Sequence, residues 1–506
     1  MRTKRALYNV VWNFILQITM ILYGFLIPKI IISNFGSNVN GLITSITQFL
    51  GYIVLLESGF GPVLKATLYK PISKKDNKTI ASILKSSEQF FRKIALVFII
   101  YIFALSLIFP FLVQKEFEQF YTFSLVIIIG ISTFVEYFFG ITYKLYLQSE
   151  QKNYIISIIQ ALTYMFNILS IILMVKFKFS IHIIKLVSAL LFCVRPIILQ
   201  KYVKRKYNIN LKSVEKKYKI SNKWDGLSQH IASVIHSNTD VTLLTLFCGL
   251  IDVSIYSIYY MVISGIRKIV IILSSSVESG FGDMIAKKEI DNLNKKFSIY
   301  EFINNTIVTI IFSCTLILIS PFVGLYTKSI VDADYVNPLF GYLFVISEYI
   351  YLLRIPYIDI TYAAGHFKET RIGAWIECFV NIVISLFLVF KYGLIGVAIG
   401  TGIAMSIRMC EFIYHSNKYI LKRNVYISIK KILFCLFETF VICLLFKYIP
   451  LLDNNNYINW IFNACIVFIL SLVIVICINA IVFKKDFFEL IEYIKILIKR
   501  KVHRNE

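Results

Sequence analysis

The residues that invite a chemical reading are charges set inside apolar runs. Arg267 and Lys268 stand between MVISGI and IVIIL, and Arg354 interrupts GYLFVISEYIYLLRIPYIDI two residues before Pro356. A basic side chain at the centre of a membrane-spanning helix costs about 2.5–3.5 kcal/mol, so such residues mark binding or transport sites by default. A guanidinium offers paired N–H donors matched to phosphate oxygens. Arg267 and Arg354 therefore point to an anionic, phosphate-bearing ligand, with Lys268, about 100° round the helix from Arg267, as a further candidate. Lys29 and Lys185 lie nearer helix ends, where long stems also snorkel to the interface. The competing reading of the arginines is ion pairing between helices, for example Arg354 with Asp359 or Glu348.

A second set could carry coupling ions: Glu136, His236, Asp240, Glu348, Asp359 and Glu377. His236 and Asp240 are four apart and share a helix face. Glu348 and Asp359, eleven apart, face nearly alike if their helix is continuous. Such groups can take up H⁺ or Na⁺; the alternative is polar packing between helices. Arg408, Glu411 and His415 read as an interfacial charge cluster. No catalytic, cofactor or metal chemistry emerges. The nine cysteines all lie in apolar runs without a CxxC spacing and read as small hydrophobes. The one Asp-x-Asp, Asp332 and Asp334, falls in a short turn, and no Walker A or HExxH pattern is present.

The elements that must position these charges are long apolar helices. Of 506 residues, 58% are hydrophobic and only 16% charged, and the mean hydropathy is +0.73. A soluble domain has about 25% charged residues, so a soluble enzyme, disorder and a disulfide scaffold are excluded. The runs are too long and continuous for a β-barrel. They predict an all-α integral membrane protein of about fourteen spans: 11–32, 39–60, 92–113, 121–143, 154–175, 179–199, 227–249, 253–276, 302–326, 338–360, 373–390, 393–415, 430–448 and 459–483. The N-terminal run lacks a cleavage site and reads as the first span rather than a signal peptide.

The net charge of +24 would suggest nucleic acid in a soluble protein, but its distribution says otherwise. Of the 53 basic residues, 40 fall in alternate connections, the N- and C-terminal segments among them, and only six in the others. That asymmetry orients the chain with both termini cytoplasmic. The 201–219 run, KYVKRKYNINLKSVEKKYK, reads as an orientation signal with attraction to anionic membrane lipids, and no nucleic-acid partner is expected.

The pentapeptide ESGFG occurs at Glu57–Gly61 and again at Glu278–Gly282, 221 residues later. Each copy closes a run on the same expected side. The repeat predicts a six-helix bundle at 1–200, a basic cytoplasmic linker at 201–226, a second bundle at 227–415, and a terminal helix pair with a basic tail at 416–506. Duplicated bundles are a common build of secondary transporters.

With Pro28-Lys29 near the end of the first run, the turn Gly36-Ser-Asn-Val-Asn-Gly41 and Glu57-Ser-Gly59 closing the second, the chain resembles the polysaccharide-lipid flippase branch (O-antigen, Wzx-type) of the multidrug/oligosaccharidyl-lipid/polysaccharide export superfamily. The resemblance implies a multi-pass protein of the bacterial inner membrane. It would move an undecaprenyl-diphosphate-linked saccharide to the outer leaflet by alternating access, alongside other polysaccharide assembly proteins. No enzyme activity is expected, and an H⁺ or Na⁺ gradient or the membrane potential would drive release. Two alternatives stand beside it: a cation-coupled multidrug antiporter of the same superfamily, and a membrane glycosyltransferase or polysaccharide polymerase.

Overall fold

Corners of positive φ separate several of these apolar runs, held by glycine at Gly36, Gly249 and Gly393 and by lysine or glutamine at Lys75, Gln151 and Lys178. In the computed structural model, which describes residues 2–57, 59–207, 227–274 and 278–492, every regular element among the described residues is helical. The helices are α1 (Arg2–Phe35), α2 (Ser37–Gly51), α3 (Val54–Glu57), α4 (Phe60–Lys74), α5 (Asn77–Leu112) and α6 (Gln119–Val135). A π turn at Glu136–Gly140 leads into α7 (Ile141–Ser149), α8 (Asn153–Lys176), α9 (Ile181–Lys206), α10 (Leu227–Phe247), α11 (Leu250–Ser274), α12 (Glu278–Ala286) and α13 (Ile290–Tyr326). Then follow α14 (Pro338–Leu353), α15 (Ile355–Ala363), α16 (Arg371–Tyr392), α17 (Leu394–His415), a π turn at Ser416–Leu421, α18 (Val425–Phe446) and α19 (Tyr457–Val482). Most of the expected basic linker (208–226), the tail (493–506) and the side chain of His236 lie outside the described residues.

Among the described residues twelve helices are long and apolar enough to cross a membrane, and the chain is a multi-pass membrane protein. The two expected spans that miss this standard are also helices. In α10 the polar His230, His236, Asn238 and Asp240 dilute the apolar run, and in α18 Lys430, Lys431 and Glu438 do so.

The Gly36–Gly41 turn has a physical basis at both ends. Gly36 adopts φ 87°, which residues with a Cβ rarely take, and separates α1 from α2. At Gly41 a Cβ would lie 1.9 Å from the Leu250 carbonyl oxygen, so only glycine lets α2 approach the start of α11. Between them, Asn40 Nδ2 donates to Ser254 Oγ at 2.8 Å.

Packing divides the chain into two units, Met1–Ser257 and Ile258–Glu506. In the first, α1 packs on α8, α5 on α6, α6 on α9 and α10 on α2, around a core that includes Leu42, Ile46, Phe91 and Phe98. In the second, α16 and α17 form a close antiparallel pair, α14 lies on α17, and α13 carries α14, α18 and α19. An ionic knot fastens α18 there. Glu301 on α13, fully buried, pairs with Arg423 at 2.8 Å and Lys431 at 3.0 Å, and Tyr357 donates to it at 2.6 Å. Lys431 also meets Asp486 at 2.9 Å, beyond α19.

The backbone carries a repeat of its own. Left-handed turns recur at Gly36 and Gly249, Lys75 and Lys288, Gln151 and Gly365, and Lys178 and Gly393. Each pair is 213 to 215 positions apart, although lysine and glutamine hold some of these torsions at a conformational cost that glycine avoids.

Candidate functional site

The charges of the second unit form a ladder that runs across four helices. Arg267 on α11 donates to both oxygens of Glu348 on α14, at 3.4 and 3.5 Å. Arg354, at the α14–α15 junction, donates to Glu377 on α16 at 2.8 Å. Arg408 on α17 approaches the other oxygen of Glu377 at 3.5 Å, donates to the Thr370 carbonyl at 2.8 Å and pairs with Glu411. Three guanidiniums thus alternate with three carboxylates, so the ladder carries no net charge. Tyr351 ties its two parts together: the Arg267 guanidinium sits 4.8 Å from the ring centroid and that of Arg354 sits 4.9 Å from it. Such cation–π contacts contribute roughly 0.5–2 kcal/mol each.

Pro356 explains why the ladder bends here. Its ring nitrogen cannot donate to the Leu352 carbonyl one turn earlier. Asn304 Nδ2 on α13 takes that place, donating to Leu352 O at 3.1 Å. The break separates two acids that a continuous helix would have aligned. Glu348 turns to Arg267, whereas Asp359 on α15 accepts from Tyr300 on α13 at 2.5 Å. The expected pairing of Arg354 with Asp359 or Glu348 is therefore replaced by Glu377, because the chain turns at Arg354 toward α16.

The two arginines differ in what they can reach. The Arg354 side chain is 5% exposed and flanked by Tyr351 and Phe412, while that of Arg267 is 30% exposed. In a medium of low dielectric, breaking a buried pair is costly, so Arg354 and Arg408 act as the fixed frame. Arg267, on the outer rung, is the more accessible of the two and its ion pair is the longer.

The remaining residues singled out by sequence are scattered. Lys268 is exposed on α11, and Lys29 on α1 and Lys185 on α9 are half-buried. Glu136 lies in the first π turn, paired with Arg195 at 2.9 Å and Lys144 at 3.5 Å. Asp240 is buried on α10 and accepts from Tyr256 at 3.1 Å. Arg195 and Glu301 are the notable charges that the sequence reading passed over. Arg195 stands in the apolar FCVRPIILQ just before Pro196, the same signal that singled out Arg354. Glu301 fell one residue before the run at 302–326. Among the described residues no group of three His, Cys, Asp or Glu side chains is placed to hold a metal ion.

No protein-family model matches the sequence, and no curated protein matches it either. Solved structures do. Lipid II flippase MurJ, in an inward closed conformation, superposes with a TM-score of 0.66 at 16% identity, covering 93% of this chain and 98% of the other. An inward-facing multidrug resistance MATE family transporter of the MOP superfamily superposes at 0.64 with 14% identity, covering 81% and 96%. A MATE transporter in the bent conformation gives 0.57 at 12% identity, covering 84% and 96%. At these identities the likeness shows the fold: the chain is built as the flippases and transporters of that superfamily are.

Proposed function

We propose that this protein is a flippase of the bacterial inner membrane. It moves an undecaprenyl-diphosphate-linked oligosaccharide from the cytoplasmic to the outer leaflet by alternating access, for surface polysaccharide assembly. The observation that carries the reading is Arg267, a guanidinium deep in an apolar helix, nearly a third exposed and held by a single carboxylate at 3.4 Å. A diphosphate outcompetes Glu348 for it by offering two charged groups with bidentate geometry. On release, Glu348 takes Arg267 back, so the site is never left as an uncompensated charge. Lys29, Lys185 and Lys268 are secondary contacts, and Arg354 acts by holding the frame through Glu377. Asp240, Asp359, Glu136 and Glu348, with His236, are the groups through which H⁺ or Na⁺ coupling would act. The fold shared with a lipid II flippase over 93% of the chain supports a lipid-linked substrate.

The reading includes fourteen crossings, with α10 and α18 counted, both termini cytoplasmic, and two six-helix halves with a terminal pair. Reporter fusions at residues 215 and 455 are expected on opposite sides; the same side for both overturns that topology.

The decisive test uses purified protein in liposomes with a fluorescent undecaprenyl-diphosphate oligosaccharide and an impermeant quencher. Protein-dependent exposure of the lipid that is lost in Arg267→Ala is the expected result. The second reading, a cation-coupled antiporter, draws on the several MATE transporters of like fold and on the buried Glu348 and Glu377. Efflux of an organic cation by the same liposomes, with no movement of the lipid, would establish it instead.

A further inference from the structure

The two halves of the repeat differ sharply at one junction. In the first half, Lys152 sits just after the left-handed Gln151, with its ammonium 2.9 Å from Glu150 and 2.5 Å from the Tyr207 hydroxyl. It also lies over the Tyr207 ring at 4.7 Å. The junction is closed and its charge is neutralised. Applying the spacing of the left-handed turns, the counterparts in the second half are Ala364 for Glu150, His366 for Lys152 and Lys422 for Tyr207. The acid is gone, and the lysine has moved from the place of Lys152 to that of Tyr207.

What remains there is a half-open cavity of about 360 Å³. Lys288, itself left-handed at φ 58°, and Lys422, at φ 52°, stand on its rim together with His366. Both lysines are exposed, and neither side chain makes an ion pair among the described residues. Among the described residues the one acid on the lining is Glu289, which accepts a hydrogen bond from Asn292 at 2.9 Å. His366 is held by its contact with the His415 ring at 3.0 Å. The wall below the rim is apolar and includes Leu293 and Ile420. A cationic rim over an apolar wall, at the ends of membrane-length helices, matches a ligand with an anionic head and a hydrocarbon body.

We propose that this cavity binds the phosphate-bearing headgroup of an anionic membrane phospholipid. Lys288 and Lys422 hold the phosphate, and the apolar wall takes the first methylenes of the acyl chains. By the charge asymmetry of the sequence this lipid belongs to the cytoplasmic leaflet, where polybasic sites attract anionic headgroups. The site is separate from Arg267 and does not depend on the flippase reading.

The test is lipid retention by delipidated full-length protein in detergent, read by native mass spectrometry with phosphatidylglycerol, phosphatidylcholine and inorganic phosphate as separate probes. The wild type is expected to retain phosphatidylglycerol over phosphatidylcholine, and the double variant K288Q/K422Q to bind it about thirtyfold more weakly, the effect of losing two lysine–phosphate attractions. K75Q, at the matching turn of the first half, should bind as the wild type does. Equal retention by K288Q/K422Q and wild type overturns the proposal, as does equal binding of the two lipids. Displacement of phosphatidylglycerol by millimolar inorganic phosphate would assign the site to a soluble phosphate and overturn the lipid assignment.

Discussion

Replacing Arg354 separates the buried frame of the charge ladder from its more exposed outer rung. Arg354→Met removes a 2.8 Å ion pair and two ring contacts while keeping an apolar stem. Glu377 is left facing Arg408 at 3.5 Å. Loss of one partner from a buried pair costs about 3–5 kcal/mol, because the other charge stays buried without full compensation. Adding Glu377→Gln removes that charge, and the double variant should recover at least about half of the loss, a coupling of roughly 2 kcal/mol. Arg267→Ala is the contrast: its pair is 3.4 Å long and its side chain 30% exposed, so solvent screening reduces the stability cost to about 1 kcal/mol while transport is lost. The native thiols supply the assay. Cys193, Cys378 and Cys435 are buried and none of the nine cysteines is in a disulfide, so unfolding in a denaturing-detergent titration is read by reaction with a thiol dye. An Arg354→Met variant within about 1 kcal/mol of wild type would refute the frame, as would a double variant no better than the single one.

Glu348→Gln weakens the hold on Arg267 without changing its position. Binding of a diphosphate lipid is expected to tighten severalfold while turnover in the liposome assay falls, and unchanged values of both would remove Glu348 from the exchange. The two deeply buried carboxyls at α13 and α18 should respond oppositely. Glu301→Gln breaks the knot with Arg423 and Lys431 and should lower the thermal midpoint. Glu438→Gln, at a carboxyl whose Oε1 has no partner among the described residues, should leave it equal or higher; a drop for Glu438→Gln as large as that for Glu301→Gln would contradict this. Asp76 caps α5 through Thr79 N at 3.0 Å and Thr79 Oγ1 at 2.6 Å, and these bonds hold its carboxyl below the usual value. A lowered carboxyl stabilises above its unfolded pKa and loses that contribution as the pH falls through its folded one. Amide exchange at Thr79 and Ile80 should therefore be faster in Asp76→Ala than in wild type at neutral pH, with the difference vanishing at strongly acidic pH.

Helix positions were legible because hydropathy is a local signal: twelve of the expected runs meet the standard for crossing, and α10 and α18 fall short through polar residues visible in the sequence. Arg267 was legible for the same reason, as a charge where its neighbours permit none. Its partner was not, because Glu348 could equally have faced Asp359's way on an unbroken helix. Pro356 announced a break, but its effect depends on Asn304, a residue 52 positions upstream that satisfies the freed carbonyl. Partner choice among buried charges is tertiary information. Glu377 was visible as an ionisable residue, yet nothing local to it names Arg354. The ESGFG repeat was legible as letters, whereas the fuller repeat lies in torsion angles shared by glycine, lysine and glutamine.

Those recurring turns show where the two halves differ in length. They keep a spacing of 213 to 215, yet the pentapeptide recurs at 221. From Gly36 to Glu57 is 21 positions, and from Gly249 to Glu278 is 29; from Glu57 to Lys75 is 18, and from Glu278 to Lys288 only 10. The second half is eight residues longer before the motif and eight shorter after it. Eight residues make about 12 Å of helix, and the lengthened stretch is the one that contains Arg267 and Lys268. The extra length thus falls between two corners whose spacing is kept, and the helix after the motif is correspondingly short, nine residues in α12 against fifteen in α4. Arg267 and Lys268 stand in that longer stretch, where the matching stretch of the first half, from Gly36 to Glu57, carries no basic residue.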